Sequence, residues 1–393
     1  MSKEMTSRQR MLAALERRKP DHIPCSFMMF RGMQARYTSY QEFLDKQLAL
    51  GLDVCVEVFP RMPTVVNDYY NLHGLPVNYD PCVEISEWKE QIPREAHPIL
   101  VKECSTPEGV LRTEIRQTPD WRWGDHVPFL DDYIIPRARK FLVTAPADLK
   151  PLRYLLSSLT REEVNSYKDN SEPFIQFARK NDLLLSGGWG VGADLVGWIA
   201  GLENMVYLTH DQPDMMTALL EMIAQWNRAR MQIALSVGLD LYIKRAWYEN
   251  CDFWTPISWC KFIQPILKKD VELAHQMGAK FGYILTSNAM RLIEPIIESG
   301  VDVLIGIDPH QFNLPTLSKQ AEGKMCLWGG VNGHLTVEKG NPIEIQKEVD
   351  QAVNLFKKKG GFILSPVDNV RDYTSEIEAN VHSLIEAWKR NVG

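Results

Sequence analysis

The chain has 393 residues, 45% of them hydrophobic and 24% charged, with a net charge of −6. These are values of a folded globular protein with room for a large core, and they exclude a disordered chain. The acidic balance also argues against a general nucleic-acid binder, which needs an excess of Lys and Arg. Seven cysteines stand at 25, 55, 82, 104, 251, 260 and 326 with no CxxC pair. An odd, scattered set predicts reduced thiols and a cytoplasmic setting rather than a disulfide framework. The charged N-terminus has no apolar stretch of the signal-peptide kind, and no apolar run reaches the roughly 18 residues of a membrane span. Eleven residues are Trp, and aromatics make up 10% of the chain. Such residues either fill a core or line an aromatic pocket, and position has to decide.

Short β-rich runs alternate with longer helical patterns. Strands are predicted over 22–30, 52–59, 182–187, 239–245, 281–286, 301–308, 325–330 and 361–365. Several are near-continuous apolar runs, as in parallel strands buried on both faces. Helices are predicted over 38–50, 212–237, 255–277, 290–299, 342–359 and 374–390, where apolar residues recur near i, i+3, i+4 and i+7. Gly300, Gly360 and Gly361 fall just past helix ends, where a left-handed cap is needed. Eight βα units predict a (β/α)8 TIM barrel spanning 1–393 as one domain, with an open doubly wound sheet as the alternative. The stretch of about 75–149 breaks the alternation and reads as an insertion after strand two. Residues 98–103 and 110–117 alternate around Ser105-Thr-Pro-Glu-Gly109, a β-hairpin pattern. The stretch carries Trp88, Trp121, Trp123, Phe129 and Tyr133, and either covers the barrel mouth or packs on its side.

Barrel active sites sit at the C-terminal ends of the strands. Here those ends carry Phe30 and Arg31, Gly187 to Asp194, Trp247-Tyr-Glu-Asn-Cys-Asp252, Asp308-Pro-His310, Asn332 and His334, and Asp368-Asn369. Asp or Asn after a strand also has an ordinary use as the cap of the next helix. Glu249, set among aromatics, is the leading functional carboxylate, and such surroundings would raise its pKa. The run Gly187-Gly-Trp-Gly-Val-Gly192 does not fit GxGxxG. It reads as a glycine turn that lets the backbone approach a ligand.

Several motifs together are similar to one family. They are Thr6-Ser-Arg-Gln-Arg-Met-Leu-Ala-Ala-Leu15, Pro20-Asp-His-Ile-Pro24, Gly187 to Leu195, Gly201-Leu-Glu-Asn204, Asp211-Gln-Pro-Asp-Met-Met216, Gly329-Gly-Val-Asn332 and Gly360-Gly-Phe-Ile-Leu-Ser-Pro366. With these the chain resembles the uroporphyrinogen decarboxylase superfamily over most of 5–390. Arg31 and Arg36-Tyr37 echo the arginine region of the decarboxylases, but the full motif is absent and the inferred site has few basic groups. Thiol-methylating members hold zinc through a His-x-Cys and a later Cys. The corresponding positions here are Ile284, Thr286 and Asp368, so those ligands are missing and a thiol acceptor is not expected.

What remains resembles the first methyltransferase of an O-demethylase system, which moves a methyl group from an aryl methyl ether to the Co(I) of a separate corrinoid protein. The resemblance implies cobalamin carried by that partner, a small methoxylated aromatic substrate and a homodimer, with neither nucleic acid nor membrane involved. Phe30, Trp189, Trp247 and Tyr248 would form the ring pocket, with Arg31, Asn250, Asn332 and Asn369 beside it. Glu249, Tyr248 or His310 would donate to the ether oxygen, with Asp308 in the same catalytic group. A metal held by His334 and Asp368, with Asp308 or Glu249, would act instead as a Lewis acid. Alternatives are another small methyl donor, a decarboxylase of a non-porphyrin acid, or a binding protein whose site has decayed.

Overall fold

A computed structural model describes residues 4–59 and 74–392. Its strands are β1 (Cys55–Glu57), β2 (Glu84–Glu90), β3 (Ile99–Thr106), β4 (Gly109–Arg116), β5 (Ala138–Lys140), β6 (Leu184–Gly190), β7 (Leu241–Arg245), β8 (Lys280–Ile284), β9 (Val303–Ile307), β10 (Cys326–Asn332) and β11 (Phe362–Val367). The apolar runs seen in the sequence build a curled parallel sheet in the order β1-β6-β7-β8-β9-β10-β11. Its strands β7, β9, β10 and β11 are buried at every residue. This is the α/β architecture of a TIM-barrel-like fold.

Seven strands pair in this sheet among the described residues, not eight. The run 22–30 makes only two isolated parallel bridges to β11 and its end, Cys25 to Leu364 and Met29 to Asn369. On its other side the Cys25 carbonyl accepts from the Asp53 N–H at 2.8 Å. The segment therefore lies between the two edges of the sheet without forming a ladder. The cause is local. Pro24 has no N–H to donate. The Cys25 and Met28 N–H groups donate to the Asp53 carboxylate and the Ser365 hydroxyl, and the Ser26 carbonyl accepts from the Trp328 indole. Side chains have taken the backbone groups that a strand would use.

The predicted helix over 255–277 is two helices, Pro256–Phe262 and Gln264–Gln276. The break falls just ahead of Pro265, whose ring removes a helical N–H and crowds the carbonyl four residues back. The helix Ala193–Ala200 is buried at every residue. It therefore shows no amphipathic stripe from which it could be read.

The helix Ser7–Leu15 closes the N-terminal end of the sheet. Met11, Ala14 and Leu15 join Leu184, Leu241, Val303, Cys326 and Ile363 in one interior cluster. A capping box at Thr6 and Gln9 starts this helix. Arg10 anchors it, with Nε 2.7 Å from Asp21 and Nη1 2.6 Å from Asp53. Asp53 also holds the Cys25 N–H, so one buried carboxylate ties the plug to the irregular segment.

A second sheet, in the order β2-β3-β4-β5, is antiparallel and occupies the stretch between β1 and β6. It packs toward the helix Ala193–Ala200. The Val143 N–H donates to the Ile199 carbonyl, and Trp198 meets Phe129, Ile134 and Leu142 around a small void. Among the described residues no helix is long and apolar enough to cross a membrane.

The Arg10→Ala variant leaves the buried Asp53 carboxylate without its guanidinium. Removing one partner of a buried pair typically costs about 3–5 kcal/mol. Urea denaturation of the wild type and variant is expected to show a loss of that order. A loss below about 1 kcal/mol would mean that the plug is held by its apolar face alone.

Candidate functional site

The glycine run at the end of β6 places an aromatic side chain at the mouth of the sheet. The β6–β7 register shifts between Gly188 and Gly190, which leaves Trp189 in a bulge with a φ of 49°. A non-glycine residue rarely adopts this left-handed region. Gly188, at φ 106°, would put a Cβ 2.3 Å from the Tyr242 ring, and Gly192 would put one 2.2 Å from a Glu249 oxygen. The glycines thus make room for the protein's own Tyr242 and Glu249.

Trp189 projects into a cavity of about 80 Å³ inside the mouth. Its walls include Phe27, Phe30, Tyr40, Phe43 and Trp328, with Met28 and Met29 from the irregular segment. Ile243, Ile284 and Ile305 contribute the sheet side. The polar lining comes from Arg31, Gln34, Gln47, Glu57 and Ser186. The Tyr40 hydroxyl accepts from the Glu57 N–H at 3.0 Å. Phe30, Arg31 and Trp189 were expected here. Trp328, Tyr40 and Glu57 were missed, although the alternation of β1 signals Glu57. A larger groove of about 580 Å³ lies beside the helix Pro213–Leu235, lined by Leu149, Trp226 and Arg230 among others. None of its lining comes from a strand end, so the mouth cavity is the candidate site.

The end of β7 and the residues after it form a largely buried hub beside this cavity. Arg245 Nε donates to Asp194 at 2.5 Å, and Nη2 donates to Asp132 at 3.2 Å. The guanidinium lies 4.1 Å from the Trp247 ring centroid and 4.6 Å from that of Trp198. Tyr248 donates its hydroxyl to Asp132 at 2.9 Å and its N–H to Asp194 at 2.8 Å. Burial would raise the Asp132 carboxyl, but Arg245 and the Trp198 and Tyr248 donors outweigh it and hold it below its usual value. Trp247 reaches Trp189, with ring centroids 6.5 Å apart.

Glu249 is 1% exposed. One oxygen accepts from the Ala193 N–H at 2.9 Å, at the start of the helix Ala193–Ala200, and the other accepts from the Tyr283 hydroxyl. Burial pushes this carboxyl above its ordinary value, against the opposing pull of Lys244 and Tyr283. The direction agrees with the sequence expectation, but Glu249 holds a helix end and does not line the cavity. Tyr248 is likewise committed to Asp132. Asn250 donates to the Trp247 carbonyl and Ser287, and its side-chain oxygen accepts from the Asp252 N–H.

The remaining expected residues do not converge on the cavity either. Asp308 accepts from the His310 N–H and from Asn332, both at 2.8 Å. His310 meets Glu348 at 3.1 Å, and the Asn332 side chain caps the next turn through the Leu335 N–H. Asn369 accepts the Arg31 N–H at 3.0 Å, which fixes the backbone beside the cavity. His334 pairs with Glu338, and Asp368 with Arg371, both near the surface. Arg371 also gives its N–H to Glu338, so donors of the protein already take up these carboxylates. Among the described residues no group of three or more His, Cys, Asp or Glu side chains gathers to hold a metal ion. The donor set does not fit the metal site expected from His334 and Asp368.

With this geometry in hand, comparison places the chain. The family described as uroporphyrinogen decarboxylase (URO-D) matches residues 176–390. The chain belongs to the URO-D family. A methyltransferase from Methanosarcina mazei has the same fold, with a TM-score of 0.60 and 15% identity over 98% of this chain and 99% of that one. A D-psicose 3-epimerase from Clostridium cellulolyticum H10 reaches a TM-score of 0.35 at 10% identity over 62% of this chain and 87% of that one. The YdjI aldolase from Escherichia coli K12 reaches 0.29 at 12% identity over 57% and 74%. No curated protein matches the sequence. The matched URO-D region holds β6 to β11, the sheet side of the cavity, and Arg245 with Asp194, Trp198, Trp247 and Tyr248, while Asp132 lies outside it.

Glu249 supplies a pH test for this URO-D member. A carboxyl whose folded pKa is raised above its unfolded value of about 4.5 stabilises the fold fully below that value. The contribution is lost as pH rises through the folded pKa. Glu249→Gln keeps a neutral acceptor for the Ala193 N–H. Denaturation of both proteins from pH 5 to 8 is expected to show the wild type losing stability relative to the variant. A pH-independent difference would assign Glu249 a permanently charged role.

Proposed function

We propose that this URO-D family member transfers the methyl group of a small methoxylated aromatic compound to the Co(I) of a corrinoid protein. The observation that carries this reading is the aromatic lining of the mouth cavity by Trp189, Trp328, Phe27, Phe30, Tyr40 and Phe43. Such walls suit a flat ring and do little for a substrate bearing several carboxylates. Arg31 is the one basic side chain among the described residues of the lining, which weighs against decarboxylation of a poly-acid.

A partner's Co(I) corrinoid would supply the nucleophile, so the chain itself needs none. Its own residues have three tasks. The aromatic walls hold the ring, and the closed sheet side points the methyl carbon toward the open mouth. Arg31 and the Tyr40 hydroxyl offer positive charge and a donor to the oxygen that leaves as phenolate when the methyl–oxygen bond breaks. These two take the role that the sequence assigned to Glu249, Tyr248 and His310. The cavity of about 80 Å³ is smaller than the roughly 150 Å³ known to admit benzene elsewhere. Binding therefore requires the half-buried Met28 and Met29 to turn aside, as flexible thioethers do.

A partner would approach the mouth past exposed apolar side chains that follow the strand ends. Ile257, Leu335 and Ile343 are 83%, 51% and 82% exposed. They stand on segments that follow the C-terminal ends of β7 and β10.

The decisive measurement is methyl transfer from guaiacol and related methoxybenzenes to Co(I) cobalamin, free or carried by a corrinoid protein. Turnover is expected, with Trp189→Ala lowering kcat/KM by about tenfold or more through loss of a ring contact. Absence of turnover across a broad methoxyaromatic panel, with a partner shown to be active, would sink the proposal.

A further inference from the structure

The antiparallel segment touches the barrel through a carboxylate placed close to the cavity walls. Asp132 lies between β4 and β5 and accepts from three side chains of the barrel. These are the Trp198 indole at 2.8 Å, the Tyr248 hydroxyl at 2.9 Å and Arg245 Nη2 at 3.2 Å. Arg245 is 8% exposed as a side chain, whereas Asp132 keeps 43% of its side chain in solvent. The buried guanidinium lies within cation–π range of the Trp198 and Trp247 rings, and Asp194 takes its Nε. Asp132 is thus an outer support of a group whose other described contacts come from the barrel. Trp247 passes the placement inward, because its ring meets Trp189, and Trp189 lines the cavity.

We propose that Asp132 is a positioning residue of the mouth cavity. By holding Arg245 it fixes the Trp247 ring and, through it, Trp189. Occupation of the cavity is thereby linked to the docking of the antiparallel segment, without that segment touching the ligand. The inference takes the ligand class from the proposed function, but its structural part does not depend on that class.

Two arms test it on the full chain. The first uses no ligand. Near-ultraviolet circular dichroism reports the packing of tryptophan rings, and Asp132→Ala is expected to change the spectrum. In a Trp247→Phe background the same substitution is expected to change the spectrum less, the remainder coming from Trp198 and Tyr248, which Asp132 touches directly. The second arm titrates guaiacol and follows tryptophan quenching. Asp132→Ala is expected to weaken binding about fivefold, the scale of one ordinary hydrogen bond and less than a charge-assisted one, because Asp132 acts through Arg245. KM should rise by a similar factor with kcat changed less. Asp132→Asn keeps acceptors for Tyr248 and Trp198 but loses the charge facing Arg245, so an intermediate effect is expected. Should Asp132→Ala fail to fold, the Asn variant carries both arms. An unchanged spectrum would overturn the proposal, as would a spectral change fully retained in the Trp247→Phe background. A lower melting temperature with unchanged guaiacol affinity would reduce Asp132 to a structural role and overturn it too. If the wild type binds no methoxybenzene, the substrate reading fails, and the spectral arm alone decides the positioning claim.

Discussion

The guanidinium of Arg245 occupies the point where four parts of the chain meet. It ends β7, pairs with Asp194 on the helix after β6, reaches Asp132 on the antiparallel segment, and stacks against Trp247 beside the cavity. A buried cation is expensive to desolvate, and a fork of fixed donors offsets that cost only when each partner stands in one place. Arg245 therefore imposes geometry on its neighbours. The β7 end, the helix Ala193–Ala200 and the antiparallel segment must all keep their mutual positions for the ion to be satisfied. The aromatic mouth inherits that order.

The opposite end of the sheet is set by a similar device of different chemistry. Arg10 bridges Asp21 and Asp53 and seats the plug formed by Met11, Ala14 and Leu15. Between the two ends the interior changes character. Aliphatic residues fill the bottom, while tryptophan, phenylalanine and methionine stand at the top. Methionine and ring faces tolerate rearrangement better than interlocked branched side chains. The scaffold is thus stiffest where no chemistry is expected and most adaptable where a ring would enter.

Much of this was legible beforehand. The near-continuous apolar runs that became β6 to β11 belong to strands buried on both faces, and that environment leaves no polar alternation to confuse with a surface strand. The raised Glu249 carboxyl was also legible in direction, because aromatic neighbours in sequence imply burial. Its role was not. A carboxylate after a strand can meet a ligand or cap a helix, and only the position of the Ala193 N–H distinguishes them. The same ambiguity left Asp308, Asn332 and His334 undecided in the sequence, and in the structure each bonds a neighbouring turn or side chain. Trp328 and Tyr40 did not stand out, because one lies inside an apolar strand and the other at a helix start, where a large ring serves equally well as core filling.

Sequence alone determined the α/β class of fold and the runs that became β6 to β11, because those follow from residue type and period along one stretch of chain. Tertiary structure decided which groups face the cavity. The bulge at Trp189 depends on Tyr242 filling the space beside Gly188, a contact between residues of two neighbouring strands separated by a long helix in sequence. The irregular segment at 22–30 depends on Asp53, Trp328 and Ser365 taking its backbone groups. The union of Asp132 with Arg245 depends on partners 113 positions apart. Such pairings are invisible to local periodicity, since each is chosen by the satisfaction of buried polar groups and the filling of space in three dimensions.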